Sequence, residues 1–346
     1  RTRVRNLSTK GGHYFLQTQI LLSLGLLWHI TAITPILTVR IICPCYYCYV
    51  MQWQDVTEAL TTLEKTQGGF TLAHRGIVTM PDGTRVFVKI GVDNSTKKWI
   101  QRELEAYKLL ETYSYPYMPR LLAQNDDHTT LALELLASNE GWDWTDTWDN
   151  HRLDRTLEAM DTLASIAVTG ADEEFRARRM LGANNDGWKP LMESEAKQKT
   201  LLAKLRRAGH DELANTLDIP GMAKQSTEYI FRDDTIVHYD VRADNCAWHS
   251  KLNTVKLIDW NWAQLGDRRI DISQTLVDVY RAGFDIMVNY ANRLDPTALQ
   301  FLAGLRLNAA AGPIVPGMAE QASLRDYQLE SGVTALALRD KLIRSA

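Results

Sequence analysis

From Met51 onward, apolar and polar positions follow two rhythms. Residues 51–64, "MQWQDVTEALTTLE", have the spacing of a short helix. The run "GGFTLAHRGIVTMPDGTRVFVKIGV" that begins at Gly68 is rich in β-branched and aromatic residues. Pro81, Asp82 and Gly83 interrupt it, which predicts two strands joined as an antiparallel hairpin. In "STKKWIQRELEAYKLLETY", Trp99, Ile100, Leu104, Tyr107 and Leu110 form a helical stripe, with Ser95 the expected N-cap. "PRLLAQNDDHTTLALELL" then predicts two more strands around Asn125, Asp126 and Asp127. Residues 60–136 thus read β-β-β-helix-β-β, a small sheet with one helix.

Beyond residue 137 the rhythm becomes mostly helical. Leu153, Leu157, Met160, Leu163 and Ile166 recur at spacings of three and four, with Gly170 the expected stop. The segments "LMESEAKQKTLLAKLRRAGHDELANTL", "DISQTLVDVYRAGFDIMVNYANRL" and "GMAEQASLRDYQLESGVTALALRDKLI" predict further helix. Between them lies a strand-loop-strand, led by the strand-like run "YIFRDDTIV" at 229–237. The fold class expected is α+β and bilobal: a β-rich lobe over 51–136, a short connector, and a larger helical lobe over 137–346. A cleft between two lobes is a usual place for a ligand.

Residues 1–50 break this picture. "RTRVRNLSTKGG" is basic, and the following apolar stretch is interrupted by Gln17, Gln19, His29 and Pro35. It is long enough to span a bilayer but more polar than a strong span. The chain begins at Arg1 and its first Met is Met51. The expectation is therefore upstream sequence outside the native protein, with a membrane anchor as the alternative. Mass spectrometry of the native N-terminus separates them, since a peptide from residues 11–40 would rule out the first.

Composition narrows the function. Hydrophobic residues are 45% and charged residues 23% of 346, ordinary for a globular protein of about two domains. A net charge of -3 argues against a nucleic-acid partner, which calls for basic excess. Cys43, Cys45 and Cys48 lack a compact fourth zinc ligand, so no metal is expected there. The main body carries Cys246 alone, which fits a reducing, cytoplasmic setting.

The candidate chemistry is concentrated in "VHYDVRADN", residues 237–245. So many polar groups either brace a turn or assemble a charged site. His238, Asp240 and Asn245 have the spacing H-x-D-x4-N, and fourteen residues later Asp259 ends the apolar run "VKLID". A carboxylate and an amide oxygen on adjacent loops are hard donors suited to Mg²⁺ with phosphate. A second carboxylate, Asp240, would orient a hydroxyl and accept its proton. Together these are the parts of phosphoryl transfer.

The ordered pattern "VHYDVRADN…KLIDWNWAQLGDRRIDIS" resembles the aminoglycoside phosphotransferase-like (phosphotransferase enzyme) family of the protein-kinase-like fold, over roughly residues 60–290. The resemblance implies Asp240 as catalytic base and Asn245 and Asp259 as Mg²⁺ ligands. It implies Lys89 on the α- and β-phosphates of ATP, paired with Glu103, with Glu105 as the alternative. Arg242 would lie near the transferring phosphate, or else form a salt bridge with Asp244. His238 would brace the loop, and Asp267 and Asp271 would anchor it and cap the next helix. Gly68 and Gly69 would cover the phosphates, although no G-x-G-x-x-G is present. Backbone groups of Glu134 and Leu136 would meet adenine.

The implied activity is ATP- and Mg²⁺-dependent phosphorylation of a hydroxyl on a small molecule. A non-catalytic nucleotide-binding scaffold is the alternative. A protein kinase is disfavoured, since "IDWNWAQLGD" leaves no room for an activation loop and no A-P-E follows. In "EGWDWTDTWDN", residues 140–150, alternating Trp and Asp could hold a cationic substrate or could simply pack and cap a connector. The insert over 173–190 reads as a lid or a surface loop.

Overall fold

The structure, a computed structural model, describes residues 29–33, 36–40, 51–66, 71–167, 175, 181–313 and 321–345. Its chain divides into two compact units, Arg1–Val50 and Met51–Ala346. In the first unit, β1 (His29–Ile33) and β2 (Ile36–Arg40) pair antiparallel, from His29 opposite Arg40 to Ile33 opposite Ile36. This part of the apolar stretch is therefore extended. The three N-terminal cysteines lie outside the described residues. No helix among the described residues is long and apolar enough to cross a membrane.

The second unit begins with α1 (Trp53–Ala59) and a five-stranded antiparallel sheet. Its strands are β3 (Glu64–Lys65), β4 (His74–Thr79), β5 (Arg85–Ile90), β6 (Leu121–Gln124) and β7 (Thr130–Glu134), in the spatial order β3-β4-β5-β7-β6. The hairpin turn forms where Pro-Asp-Gly predicts it, with Gly83 at φ +85° and Met80 N–H donating to Thr84 at 2.8 Å. Strand alternation then sorts the side chains of β5. Val86 and Val88 are fully buried against Val56 and Ala59 of α1, each burial stabilising by about 1.5–3 kcal/mol. Phe87 and Lys89 necessarily face the other way, and Phe87 packs on the main core.

That opposite face is covered by α2 (Asn94–Thr112), whose Ile100, Leu104, Tyr107 and Leu110 are buried. The cap of α2 is Asp93, not Ser95. Asp93 Oδ1 accepts from Thr96 N at 2.7 Å, while the Thr96 hydroxyl accepts from Asp93 N at 3.0 Å. This reciprocal box with Thr96 starts the helix ahead of Ser95.

The helical part contains α3 (Asn150–Ala164), α4 (Trp188–Met192), α5 (Glu195–Arg207), α6 (Asp211–Thr216), α7 (Ile219–Ser226), α8 (Arg268–Arg281), α9 (Pro296–Ala311) and α10 (Gln321–Ser345). Two antiparallel strand pairs lie among them. β8 (Thr235–Val237) pairs with β11 (Gln264–Gly266), and β9 (Cys246–His249) with β10 (Thr254–Leu257).

Four expectations change. α3 stops at Ala164, where the Ser165 hydroxyl donates to Thr162 O at 2.7 Å; Gly170 lies outside the described residues. α8 stops at Arg281, ahead of Gly283 at φ +92°, so residues 284–294 hold only turns and a short 3-10 helix, Ala291–Arg293. Strand structure in 229–237 is confined to β8, and Ile230 is 78% exposed. Finally, α9 had no predicted counterpart. Asp295 caps it, accepting from Thr297 N and Ala298 N, and Pro296 opens it.

Candidate active site

The loop after β8 hangs from one face of α8. Asp271 accepts from His238 N at 3.1 Å and Tyr239 N at 2.8 Å, Gln274 donates to Tyr239 O, and Asp278 accepts from Ala243 N at 3.3 Å. Positions 271, 274 and 278 share a helix face, so one rigid element holds three points of the loop. Tyr239 sits at φ +60°, a conformation disfavoured for a bulky residue. Its hydroxyl accepts from Asp267 N at 2.6 Å and its ring occupies the space beside Gly266. Asp267 caps α8 as expected, accepting from Arg269 N at 3.0 Å, whereas Asp271 holds the loop directly.

His238 is fully buried. Nε2 lies 3.0 Å from Ile258 O, and Nδ1 accepts from Asp240 N at 3.2 Å, which requires the neutral ring with its proton on Nε2. Burial pushes its pKa down to about 4, so it braces the loop without a charge.

Asp240 is thereby presented on a fixed backbone with its side chain 13% exposed. Asn245 Nδ2 donates to its carbonyl at 2.9 Å and to Oδ2 at 3.0 Å. Burial pushes the Asp240 pKa up to about 7; Arg242 opposes the shift, and Asp259 and Asp244 add to it. Arg242 makes the salt bridge to Asp244, with Nε and Nη2 each at 2.9 Å, and also lies 3.5 Å from Asp240 Oδ1. It is a buried cation between two acids, so the salt bridge to Asp244 is formed.

Lys89 and Glu103 come together across β5 and α2. Lys89 Nζ donates to Glu103 Oε1 at 2.9 Å, to Oε2 at 2.8 Å and to Asp259 Oδ1 at 2.7 Å. Glu105 is exposed. Burial alone would lower the Lys89 pKa, but Asp259 and Glu103 raise it. Burial pushes Glu103, 2% exposed in its side chain, above the usual carboxylate range despite Lys89. Burial also works against Asp259, but at 28% side-chain exposure Lys89 holds that carboxyl below its usual range. Asp259 itself stands at φ +67°, a second non-glycine residue held in the left-handed region.

Lys89, Glu103, Asn245 and Asp259 line one cavity of about 620 Å³, with Leu133, Glu134, Leu136, Trp144 and Ile258 also on its walls. The Glu134 amide is committed to Arg120 O at 2.9 Å and the Leu136 carbonyl to the Trp144 indole at 2.9 Å. Gly68 and Gly69 lie outside the described residues. Arg75 lines the same cavity and was not anticipated. It pairs directly opposite Lys89 in the β4–β5 register, so counting back from the turn at 80–84 would have found it.

The Trp- and Asp-rich connector is packed. Trp142 and Trp148 are 8% and 6% exposed, and Arg152, 1% exposed, lies over the Trp148 ring at 4.4 Å. Arg152 also donates to Thr147 O and Cys246 O, each at 2.8 Å. Asp143 and Asp149 accept from Thr145 N and Arg152 N, both at 2.8 Å. These groups are engaged within the connector, while Trp144 lines the cavity. In the 173–190 insert, Phe175 and residues 181–190 are described, and Trp188 is fully buried.

An ammonium, a carboxylate and an amide lining one cleft, next to a braced loop carboxylate, form the arrangement of a phosphotransferase. The chain belongs to the phosphotransferase enzyme family, whose model matches residues 77–305. It is a phosphotransferase. A spectinomycin phosphotransferase solved with ADP and spectinomycin is similar at 12% identity, over 84% of this chain and 98% of that one, with a TM-score of 0.50. That likeness is one of fold, the bilobal protein-kinase-like fold. A choline kinase from Streptococcus pneumoniae is 13% identical over 84% of this chain and 97% of that one, with a TM-score of 0.49. An aminoglycoside phosphotransferase from Alicyclobacillus acidocaldarius is 13% identical over 87% and 99%, with a TM-score of 0.48. No curated protein matches the sequence.

Proposed function

We propose that the protein transfers the γ-phosphoryl group of ATP to a hydroxyl of a small molecule, with Mg²⁺, in the cytoplasm. The lobes of the enzyme would be residues 51–136, binding nucleotide, and 137–346, carrying the base and the acceptor. The observation that carries this reading is the Lys89–Glu103–Asp259 network beside Asn245 and Asp240. Adenine would lie along Leu133–Leu136. The Leu136 amide N–H has no acceptor among the described residues and is suited to donate to it.

The Mg²⁺ ligands would be Asn245 and Asp259. Asn245 uses its Nδ2 on Asp240, and Asp259 uses Oδ1 on Lys89 and Asn261, so Asn245 Oδ1 and Asp259 Oδ2 remain as hard oxygen donors. No group of three His, Cys, Asp or Glu side chains among the described residues could hold a metal. Two donors suit a cation that completes its shell from phosphate and water. When bound, the metal neutralises charge on the phosphates. Lys89 would exchange contact with Asp259 for contact with phosphate and keep Glu103 as its counter-ion. The acceptor O–H gives its proton to Asp240 while its oxygen bonds the γ-phosphorus. The bond from that phosphorus to the bridging oxygen breaks, leaving ADP.

The test is ADP release from Mg-ATP across a panel of hydroxy compounds, with Asp240→Asn beside the wild type. Turnover that depends on an acceptor and collapses in the variant, with ADP affinity kept, is the expected result. Equal turnover in both would remove Asp240 from the role of base.

A further inference from the structure

Asp240 also borders a cluster of guanidinium groups, of which Arg242 is the nearest. Three of them surround the ring of Tyr327 on α10: Arg281 at 4.7 Å, Arg242 at 5.4 Å and Arg306 at 5.8 Å from its centroid. They come from α8, the base loop and α9. Like charges this close need anions. Arg242 has Asp244 and Asp240. Arg281 has Asp278 at 3.9 Å and the Ser331 hydroxyl at 3.3 Å. Asp278 is shared further, accepting from Ala243 N and from the Tyr327 hydroxyl at 3.3 Å. Arg306 has no carboxylate partner among the described residues, and its buried Nε has no hydrogen-bond acceptor there. Arg306 nonetheless shares the Tyr327 ring with Arg242, which lies 3.5 Å from Asp240 Oδ1.

A half-buried guanidinium without a counter-ion is costly to keep, unless a ligand supplies the anion. The ligand that comes within reach of Asp240 is the acceptor. We infer that the acceptor is a small hydroxy compound carrying an anionic group, a carboxylate or a phosphate ester, which Arg306 binds while the hydroxyl faces Asp240. This rests on the phosphoryl-transfer reading and adds the charge of the substrate. A planar guanidinium suits both anions, since each offers two oxygens to its fork. An acceptor with an ammonium group would bring a like charge to Arg306 instead.

The experiment measures binding to protein already saturated with Mg²⁺ and a non-hydrolysable ATP analogue, so that the donor phosphates occupy their own site. Four matched probes are compared by thermal shift: glycerol, glycerate, glycerol 3-phosphate and 3-amino-1,2-propanediol. The anionic probes should raise the melting temperature and the neutral and cationic ones should not. Which anion binds tighter distinguishes carboxylate from phosphate. Arg306→Ala should weaken anion binding roughly tenfold to a hundredfold. Arg306→Lys should keep part of it, and guards against a folding defect in the alanine variant. The shift from the ATP analogue alone should be equal in all three proteins. Failure of that shift in the wild type would count against the phosphoryl-transfer reading. The anion proposal is overturned if neither anion binds, if the cationic probe binds best, or if Arg306→Ala binds anions as well as the wild type. It is equally overturned if Arg306→Ala loses the analogue instead, which would make Arg306 a donor-phosphate ligand.

Discussion

The two surroundings of Asp240 are built on opposite electrostatic plans. Towards the cleft, one cation, Lys89, is shared by two carboxylates at 2.7–2.9 Å, a closed network that must exchange partners when phosphate arrives. Around Tyr327, three guanidinium groups gather and Arg306 is left without a carboxylate among the described residues. In the first arrangement the cation has two carboxylates. In the second, Arg242 and Arg281 have carboxylates and Arg306 alone has none among the described residues. On the proposed reading, the first serves the nucleotide and the second selects the acceptor.

Breaking the base between the two regions should have the largest effect. Asp240→Asn should lower kcat by about 10²–10⁴, read from steady-state ADP release, with ADP affinity by calorimetry unchanged. Breaking the closed network comes next. Lys89→Met leaves Glu103 buried without its cation and should cost about 3–5 kcal/mol of stability in denaturant unfolding. Adding Glu103→Gln to it should restore part of that loss, because the stranded charge is gone. If Lys89→Met unfolds like the wild type, the network is not a structural charge pair.

A pH titration of the metal-free, nucleotide-free protein sharpens the comparison. The Asp240 pKa in the folded protein is about 7, above its value in the unfolded chain. Its contribution to stability is therefore complete below about pH 4 and lost as pH rises through 7, up to about 4 kcal/mol. The same Asp240→Asn variant should thus melt higher than the wild type at pH 8, and the gap should narrow steadily as the pH falls towards 4. Equal melting differences at both pH values would mean that Asp240 is not held neutral by burial. The smallest effect concerns the start of α2, which positions Glu103. Asp93→Ala should cost about 1 kcal/mol and Ser95→Ala only a few tenths, because Asp93 makes the cap.

How far the sequence carried the account depends on how local each interaction is. Lys89 and Glu103 were legible because the family resemblance points to a strand-end lysine and a helix glutamate, and helix periodicity sets Glu103 apart from Glu105. Arg75 was equally legible, since the Pro-Asp-Gly turn sets its register opposite Lys89. The cap of α2 was misread because Asp93 and Ser95 are both good caps and the reciprocal bond to Thr96 decides between them. α9 was missed although Asp295-Pro296 announces it, because its apolar residues run almost all round it and leave no stripe. Arg306 and Tyr327 could not be read at all. Their neighbours to Asp240 come from three helices far along the chain, and only packing brings them together.

The most direct test of the central claim is a mole-for-mole balance. The wild type would be incubated with Mg-ATP with and without its acceptor, with ADP, free phosphate and phosphorylated acceptor measured together. The account requires ADP release that depends on the acceptor and is matched by phosphorylated acceptor. ADP matched by free phosphate, or nucleotide bound without any ADP formed, would contradict it.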